Sequence, residues 1–435
     1  MRLSPLAAAL ALALSGISLD AAAQADPRDQ EIAALRAQVE ALVARLDDLE
    51  QRTEAQSEVN IDTAQAIERL DTTVAKVETK GGLKAVSADK AFEFSLGGRI
   101  HYDTYFFNED IAPVTNTSEF RRARITLAGK AYGWDYKMEQ DFGAGSNLDG
   151  LRDLYIAKGF SNGGKLFIGH FKPYRSMEEL TSSNDILMME RPFSSSNGLF
   201  AGRQFQQGLG YLKAGDGYTA GLSVFNLRGA ASARTAGLGM AGRVTWAPIN
   251  TETRTLHLGA WASLEDTDEG SPSLIAGASY AGRRGPVLPI ATTLGTSGET
   301  VTAVGLEAAG SFDALFFQSE YTRARFGQLT GGDQDVETFY VQGSWLLNGG
   351  HKAYKAGNGV FTGPKVEGVR LWELTARYDR IENDDLPGRI ATTWMLGVNY
   401  YLNPSLRIMA NFVQGENDLS GDETSQFGLR TQFAF

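Results

Sequence analysis

From residue 92 onward the chain alternates. Leu96, Gly98, Ile100, Tyr102, Thr104 and Phe106 fall on one face of an extended segment, and Arg99, His101, Asp103 and Tyr105 fall on the other. This is the period of two that a strand with unlike faces imposes. The dyad returns down to the C-terminus: Ala123, Ile125 and Leu127 oppose Arg122, Arg124, Thr126 and Lys130, and Trp372, Leu374, Ala376 and Tyr378 oppose Glu373, Thr375 and Arg377. Alternating strands also build soluble sandwiches. A long series of strands of about ten residues, with aromatics near their ends, instead describes a membrane barrel with apolar side chains outward and polar ones facing a lumen.

The pattern predicts strands at 94–107, 119–132, 133–142, 150–159, 164–171, 203–213, 217–227, 236–247, 253–264, 300–310, 314–326, 336–347, 368–381, 391–402, 405–415 and 424–435. That makes an all-β, sixteen-stranded antiparallel transmembrane β-barrel, and the even count returns both of its ends to one side. Tight inner turns at Tyr132-Gly133, Gly215-Asp216-Gly217, Ser311-Phe312-Asp313 and Asn403-Pro404-Ser405 alternate with long or acidic outer loops at 108–118, 172–202, 265–299 and 416–423. The connection 348–367 breaks that alternation, because it is long on the inner, periplasmic side. Segment 273–281 has strand character but would make the count odd, so it is assigned to a loop.

Upstream of the barrel the apolar residues follow heptads. Ile32, Val39 and Leu46 occupy one core position and Leu35, Leu42 and Leu49 the other, and the register passes through Thr53, Gln56, Asn60 and Thr63 to Ile67, Leu70, Val74 and Val77. This predicts an α-helical coiled coil, ended at Gly81-Gly82. A lone amphipathic helix packed on the barrel gives the same pattern, and the heptads do not decide between two and three strands. Met1-Arg2, the apolar run Pro5–Leu19 and Ala23-Gln24-Ala25 form a secretory signal with cleavage before Asp26. No later segment offers the roughly 20 consecutive apolar residues of a membrane helix. The expected organisation is a signal peptide (1–25), a periplasmic coiled coil (26–80), a linker (81–91) and the barrel (92–435).

Composition narrows the function. With 49 glycines, 12 prolines and no cysteine, this secreted chain is held by packing or by a closed hydrogen-bond ladder rather than by disulfides. A formal charge of -11 argues against nonspecific nucleic-acid binding, although it does not set the charge inside a lumen. Four scattered histidines, no Gly-x-Ser-x-Gly elbow and no P-loop imply neither metal, cofactor nor catalysis. His101 and His257 lie at inward or rim positions with no serine motif to pair with.

The basic cluster Glu119-Phe120-Arg121-Arg122-Ala123-Arg124, beside Arg99 on the preceding strand, is the candidate site, because guanidinium forks match phosphate and carboxylate oxygens. Arg122 and Arg124 share the inward parity. Arg121 does not, so it lies at the rim, pairs across a bulge or faces a neighbouring subunit. A wall-stiffening lattice with Asp135, Glu139 and Asp141 is a second, compatible reading. The long segment from Phe171 to Gly202 either folds into the lumen and narrows it or caps the barrel outside.

Residues Ser118–Arg124, Trp134-Asp135-Tyr136-Lys137, Asp153-Leu154-Tyr155-Ile156, Gly169-His170-Phe171-Lys172-Pro173, Glu179–Asn184, Met189-Glu190-Arg191, Gly305–Ala309 and the terminal Phe435 together resemble the phosphate- and pyrophosphate-selective porin family over roughly 92–435. The resemblance implies a homotrimeric outer-membrane porin with a constricting third loop and an arginine ladder that passes anions. Arg121 and Arg122 match the family's phosphate-binding arginines, Arg99 and Lys172 are partners by position, Lys137 and Asp153 join the lining, and Arg283 and Arg284 are outer rungs. The chain departs from a strongly phosphate-selective pattern in having few basic loop residues and a net acidic barrel half. The expected function is passive diffusion of small anions such as phosphate or pyrophosphate across outer-membrane lipid. A general or cation-tolerant porin, a structural barrel tethered by its coiled coil and a barrel hydrolase are the alternatives.

Overall fold

Hydrocarbon offers a backbone N–H or C=O no partner, so strands that cross it must pair all the way round. The computed structural model, which describes residues 27–79, 82–144, 149–228, 235–366, 368 and 370–435, does this with sixteen strands. In chain order they are β1 (Phe92–Asn108), β2 (Thr117–Ala131), β3 (Trp134–Asp141), β4 (Leu151–Gly159), β5 (Gly164–Phe171), β6 (Gln206–Gly215), β7 (Tyr218–Asn226) and β8 (Leu238–Asn250). They continue with β9 (Arg254–Asp266), β10 (Thr300–Phe312), β11 (Leu315–Gly327), β12 (Gln334–Leu346), β13 (Leu371–Asn383), β14 (Ile390–Asn403), β15 (Leu406–Asn417) and β16 (Ser425–Ala434). Each pairs antiparallel with its neighbour, and β16 closes on β1 from Ser425↔Asn108 to Ala434↔Arg99. All sixteen expected strands are present, their ends within three residues of the predicted bounds.

Period two sorts the side chains as expected. Outward positions such as Ile100, Tyr102, Leu306, Trp372, Leu396 and Phe412 are exposed, while His101, Asp103, Glu307, Arg377 and Arg430 are buried inside. Cross-strand ring pairs brace the outer face: Trp372 stacks on Tyr400 at 4.2 Å and Tyr378 meets Trp394 at 4.6 Å, each pair directly opposed in the ladder.

Among the described residues, three connections fold inward and fill much of the lumen. Loop 172–205, between β5 and β6, carries one helical turn, Met177–Leu180, whose first N–H groups donate to Glu320 on β11. Beyond it Met189 N donates to Asn411 and Phe193 N to Asp379, so the loop crosses to the far wall. Loop 267–299 contributes a hairpin, Ile275–Ser279 with Val287–Thr292, packed with Phe200, Phe225, Trp261 and Phe326 in the largest apolar cluster. Segment 273–281 therefore has the strand its pattern suggested, yet pairs within the loop and stays outside the wall. The connection after β12 enters from the opposite end as the hairpin Lys352–Lys355 with Val360–Pro364. Arg243 donates to Asn358 O and Gly359 O, and Lys352 pairs with Glu373. Its anomalous length is that of an inserted hairpin.

The N-terminal helix, α1, runs Pro27–Thr73 and forms a unit separate from the barrel, divided at Val74 and Ala75. Its heptad residues Ile32, Leu35, Leu42, Leu46 and Leu49 are about half exposed. The helix stops short of the expected end at Gly81-Gly82. Lys76–Glu78 instead pairs with Leu83–Val86, which pairs with Glu93–Leu96 of β1. β-branched Val77 favours that extended backbone, Val74 follows the last helical residue with its N–H donating to Leu70 O, and part of the 81–91 linker is strand. The predicted signal peptide lies outside the described residues.

Backbone contact around the ring is close at Gly129, where an added Cβ would sit 1.9 Å from the carbonyl oxygen of Glu93 on β1. Gly129→Ala is expected to cost about 1–3 kcal/mol through overpacking. Lowered yield of the heat-modifiable folded species on gels would show this, and full wild-type yield and thermal stability would contradict it.

Candidate functional site

Alternation alone cannot place every basic residue of the lumen, because two bulges break the parity. β1 and β2 pair His101 with Arg122 but Tyr102 with Phe120, which leaves Arg121 as the extra residue. Arg121 and Arg122 therefore both reach the interior, the bulge being one of the three placements that parity allowed. On β4 the residues Arg152 and Asp153 stand opposite Glu139 alone, between Met138↔Leu154 and Gln140↔Leu151. That bulge brings Arg152 to within 3.4 Å of Asp141 inside the barrel.

The inward loop supplies the opposite wall. Glu190 accepts both forks of Arg121 at 2.7 and 2.9 Å and also meets Arg430, which is itself paired with Asp103. Burial opposes the Glu190 charge, yet Arg121, Arg122 and Arg430 hold its carboxyl well below the usual carboxylate range. Arg191 turns the other way. Its guanidinium donates to the carbonyls of Glu178 and Thr181 at 3.0 and 2.6 Å and lines the open space.

That space is two cavities in series. One, of about 370 Å³, lies toward the loop end and is lined by Arg121, Arg122, Arg124, Arg152, Arg191, Arg228 and Arg283 against the carboxylates of Asp149 and Glu190. The other, of about 580 Å³, reaches the end that carries the barrel's termini and is lined by Arg99, Arg124, Lys137, Lys165, Lys172, Arg191 and Lys355 against Glu139, Asp153 and Asp185. Both include Arg124, Arg191, Gln204 and Phe205, which form the neck between them. Cations outnumber carboxylates on both sides of it.

The nine predicted lining residues divide by their partners. Arg99 donates to Ser182 and Ser183 and pairs with Glu139 at 3.1 Å, Arg124 pairs with Glu139 and Asp141 at 2.8 Å, and Lys137 pairs with Asp153. These build the expected lattice, with Asp135 taking Lys165. Among the described residues Arg122 has only the ring of His101 at 3.3 Å, and its Nε is buried without a partner. Lys172 donates to the carbonyls of Glu179 and Thr181 and sits 5.5 Å from the Phe205 ring. Among the described residues, no carboxylate forms an ion pair with Arg122, Lys172 or Arg191. Arg283 and Arg284 both clasp Glu119 at the mouth. Arg283 lines the outer cavity and Arg284 does not. Sequence reasoning missed Arg152, Arg191, Gln204 and Phe205. Arg152 had the wrong parity, Arg191 lies on a loop whose path no period describes, and Gln204 and Phe205 fall in the expected strand 203–213, which begins only at Gln206.

A closed sixteen-stranded barrel narrowed by an inward third loop is the architecture of a porin-type outer-membrane channel. The chain belongs to the phosphate-selective porin O and P family, whose model matches residues 94–435. It is 28% identical to Porin O of Pseudomonas aeruginosa over 420 residues, covering 82% of this chain and 92% of that one. It is 26% identical to an uncharacterized protein of Caulobacter vibrioides, over 90% of this chain and 86% of the relative. In fold it is similar to OmpT, an outer membrane protein of Vibrio cholerae (TM-score 0.53, 12% identity, 79% of this chain and 98% of that one). It is equally similar to an anion-selective porin from Comamonas acidovorans (TM-score 0.53, 13% identity, 79% and 100%).

Glu190 neutralises Arg121 at the neck's outer side. Glu190→Gln is expected to strengthen anion preference, shifting the zero-current potential in a KCl gradient further toward the chloride equilibrium, while costing about 2 kcal/mol of stability. A shift toward cation preference in the folded variant would contradict this.

Proposed function

We propose that this protein is a passive, anion-selective pore of the outer membrane, conducting small oxyanions such as phosphate or pyrophosphate. The reading rests on one observation: among the described residues Arg122, Lys172 and Arg191 carry no ion-pair partner, and they line the outer cavity, the inner cavity and the neck between them respectively. An anion entering the neck replaces hydration with guanidinium and ammonium donors. It leaves because each cation is already spent in part on carbonyl or imidazole partners, which keeps binding weak enough for conduction. Arg122 rather than Arg121 is the available member of the arginine pair, since Glu190 holds Arg121. The family is one of channels, and the lumen's charged groups serve as lining and lattice rather than as a reaction centre.

The half-exposed heptad stripe of α1 supports a coiled coil between copies, the family resemblance supports three of them, and the coil lies in the periplasm where both ends of the barrel return. Cross-linking of the full chain in detergent is expected to give a three-chain species, and a limit at one or two chains would contradict the trimer.

The pore reading is tested by zero-current potentials across planar bilayers in a KCl gradient. Wild type is expected to prefer chloride, and Arg122→Gln with Arg191→Gln to reduce the chloride-to-potassium permeability ratio at least severalfold. Cation preference in the wild type, or an unchanged ratio in the double variant, would refute it.

A further inference from the structure

The cavity at the terminal end has a second character that anion conduction does not use. Its wall on β4 and β5 presents Tyr155, Phe167 and Phe171, joined by Tyr174 from the inward loop and Leu212 from β6. The rings form one connected layer: Tyr155 and Phe167 at 5.2 Å, Phe167 and Phe171 at 6.1 Å, and Phe171 and Tyr174 at 6.0 Å. The wall behind is cut away for them. A Cβ at Gly210 would lie 2.8 Å from the Phe171 ring and one at Gly221 would lie 2.8 Å from the Tyr174 ring, so both rings occupy space that a side chain on the wall would fill. Phe171 and Tyr174 are buried beneath, whereas Tyr155, Phe167 and Leu212 keep part of their surface open to the cavity.

Such a layer is unneeded for a hydrated inorganic ion, and at an inward-facing position it forgoes the hydrogen bonds that polar side chains give water elsewhere in the lumen. Cations stand beside it. Lys165 Nζ lies 5.3 Å from the Phe167 ring centre, Lys137 is the ladder partner of Tyr155, and Lys172 and Arg99 line the same space. An apolar cavity of about 150 Å³ suffices for benzene, and this one holds about 580 Å³.

We infer that this cavity is a subsite for anions that carry an aromatic ring, aryl phosphates and arenecarboxylates, with the ring on Tyr155, Phe167 and Leu212 and the charged group on the neighbouring cations. The inference deepens the anion-pore reading and rests on it. Ring against ring adds the offset or edge-on contact that aromatic pairs favour, so an aryl anion dwells longer than an alkyl anion of equal charge.

The test uses single channels of the full chain in planar bilayers with KCl, blocked in turn by inorganic phosphate, methyl phosphate and phenyl phosphate. Phenyl phosphate is expected to half-block the current at a concentration roughly threefold to tenfold below methyl phosphate. Phe167→Ser and, separately, Tyr155→Ser are expected to narrow that gap below about twofold and leave the block by inorganic phosphate unchanged. Equal block by phenyl and methyl phosphate in the wild type overturns the subsite while leaving the anion pore standing, and needs no variant to fold. A gap that survives in both variants also overturns it. Absence of block by all three phosphates overturns the anion pore and this inference with it.

Discussion

The backbone's need for hydrogen bonds in a solvent that supplies none governs this molecule. Sixteen strands satisfy one another only because Ser425–Ala434 returns to Arg99–Asn108. Closing the ring sends every second side chain inward, and the lumen becomes the place where the chain's charges must find partners. The outer face carries no such demand, which is why exposed Leu, Val and aromatic residues there cost nothing.

Inside, the charges are arranged unequally. Toward β8–β13 they cancel: Arg243 is bidentate on Glu307, Arg175 and Arg203 share Glu265, and Lys352 meets Glu373. These pairs pin two inserted hairpins and the third loop, a use in which losing one partner is more costly than the pair is worth against an apolar substitute. Toward β1–β6 cations exceed carboxylates, and there the cavities remain open. The formal charge of -11 thus coexists with a basic passage, because the acids sit in lattice positions, on loops and on the helix.

Much of this was legible in the sequence. Period two located every strand of the wall, and the inward face named Arg99, Arg122 and Arg124 with it, while Lys137 and Asp153 came from the family resemblance. Parity failed at Arg152, where a bulge turns an outward position inward, and left Arg121 undecided for the same reason. A bulge depends on how the partner strand meets it, and one strand's pattern does not carry that information. Arg191 and Glu190 stood in a recognised motif, yet their opposite roles follow from a loop path fixed by Asn411, Asp379 and Arg430 across the barrel. The helix end was misplaced because Gly81-Gly82 looked like a stop, whereas the extended pairing of Lys76–Glu78 ends the helix earlier.

The central claim is that ions cross between the third loop and the β1–β6 wall, and that this stretch selects negative ones. Crystals soaked separately in bromide and in rubidium test it most directly through anomalous scattering. The account predicts bromide peaks beside Arg122, Arg191 and Lys172 with none of rubidium there. Rubidium occupying that neck, or bromide confined to the β8–β13 half, would contradict it.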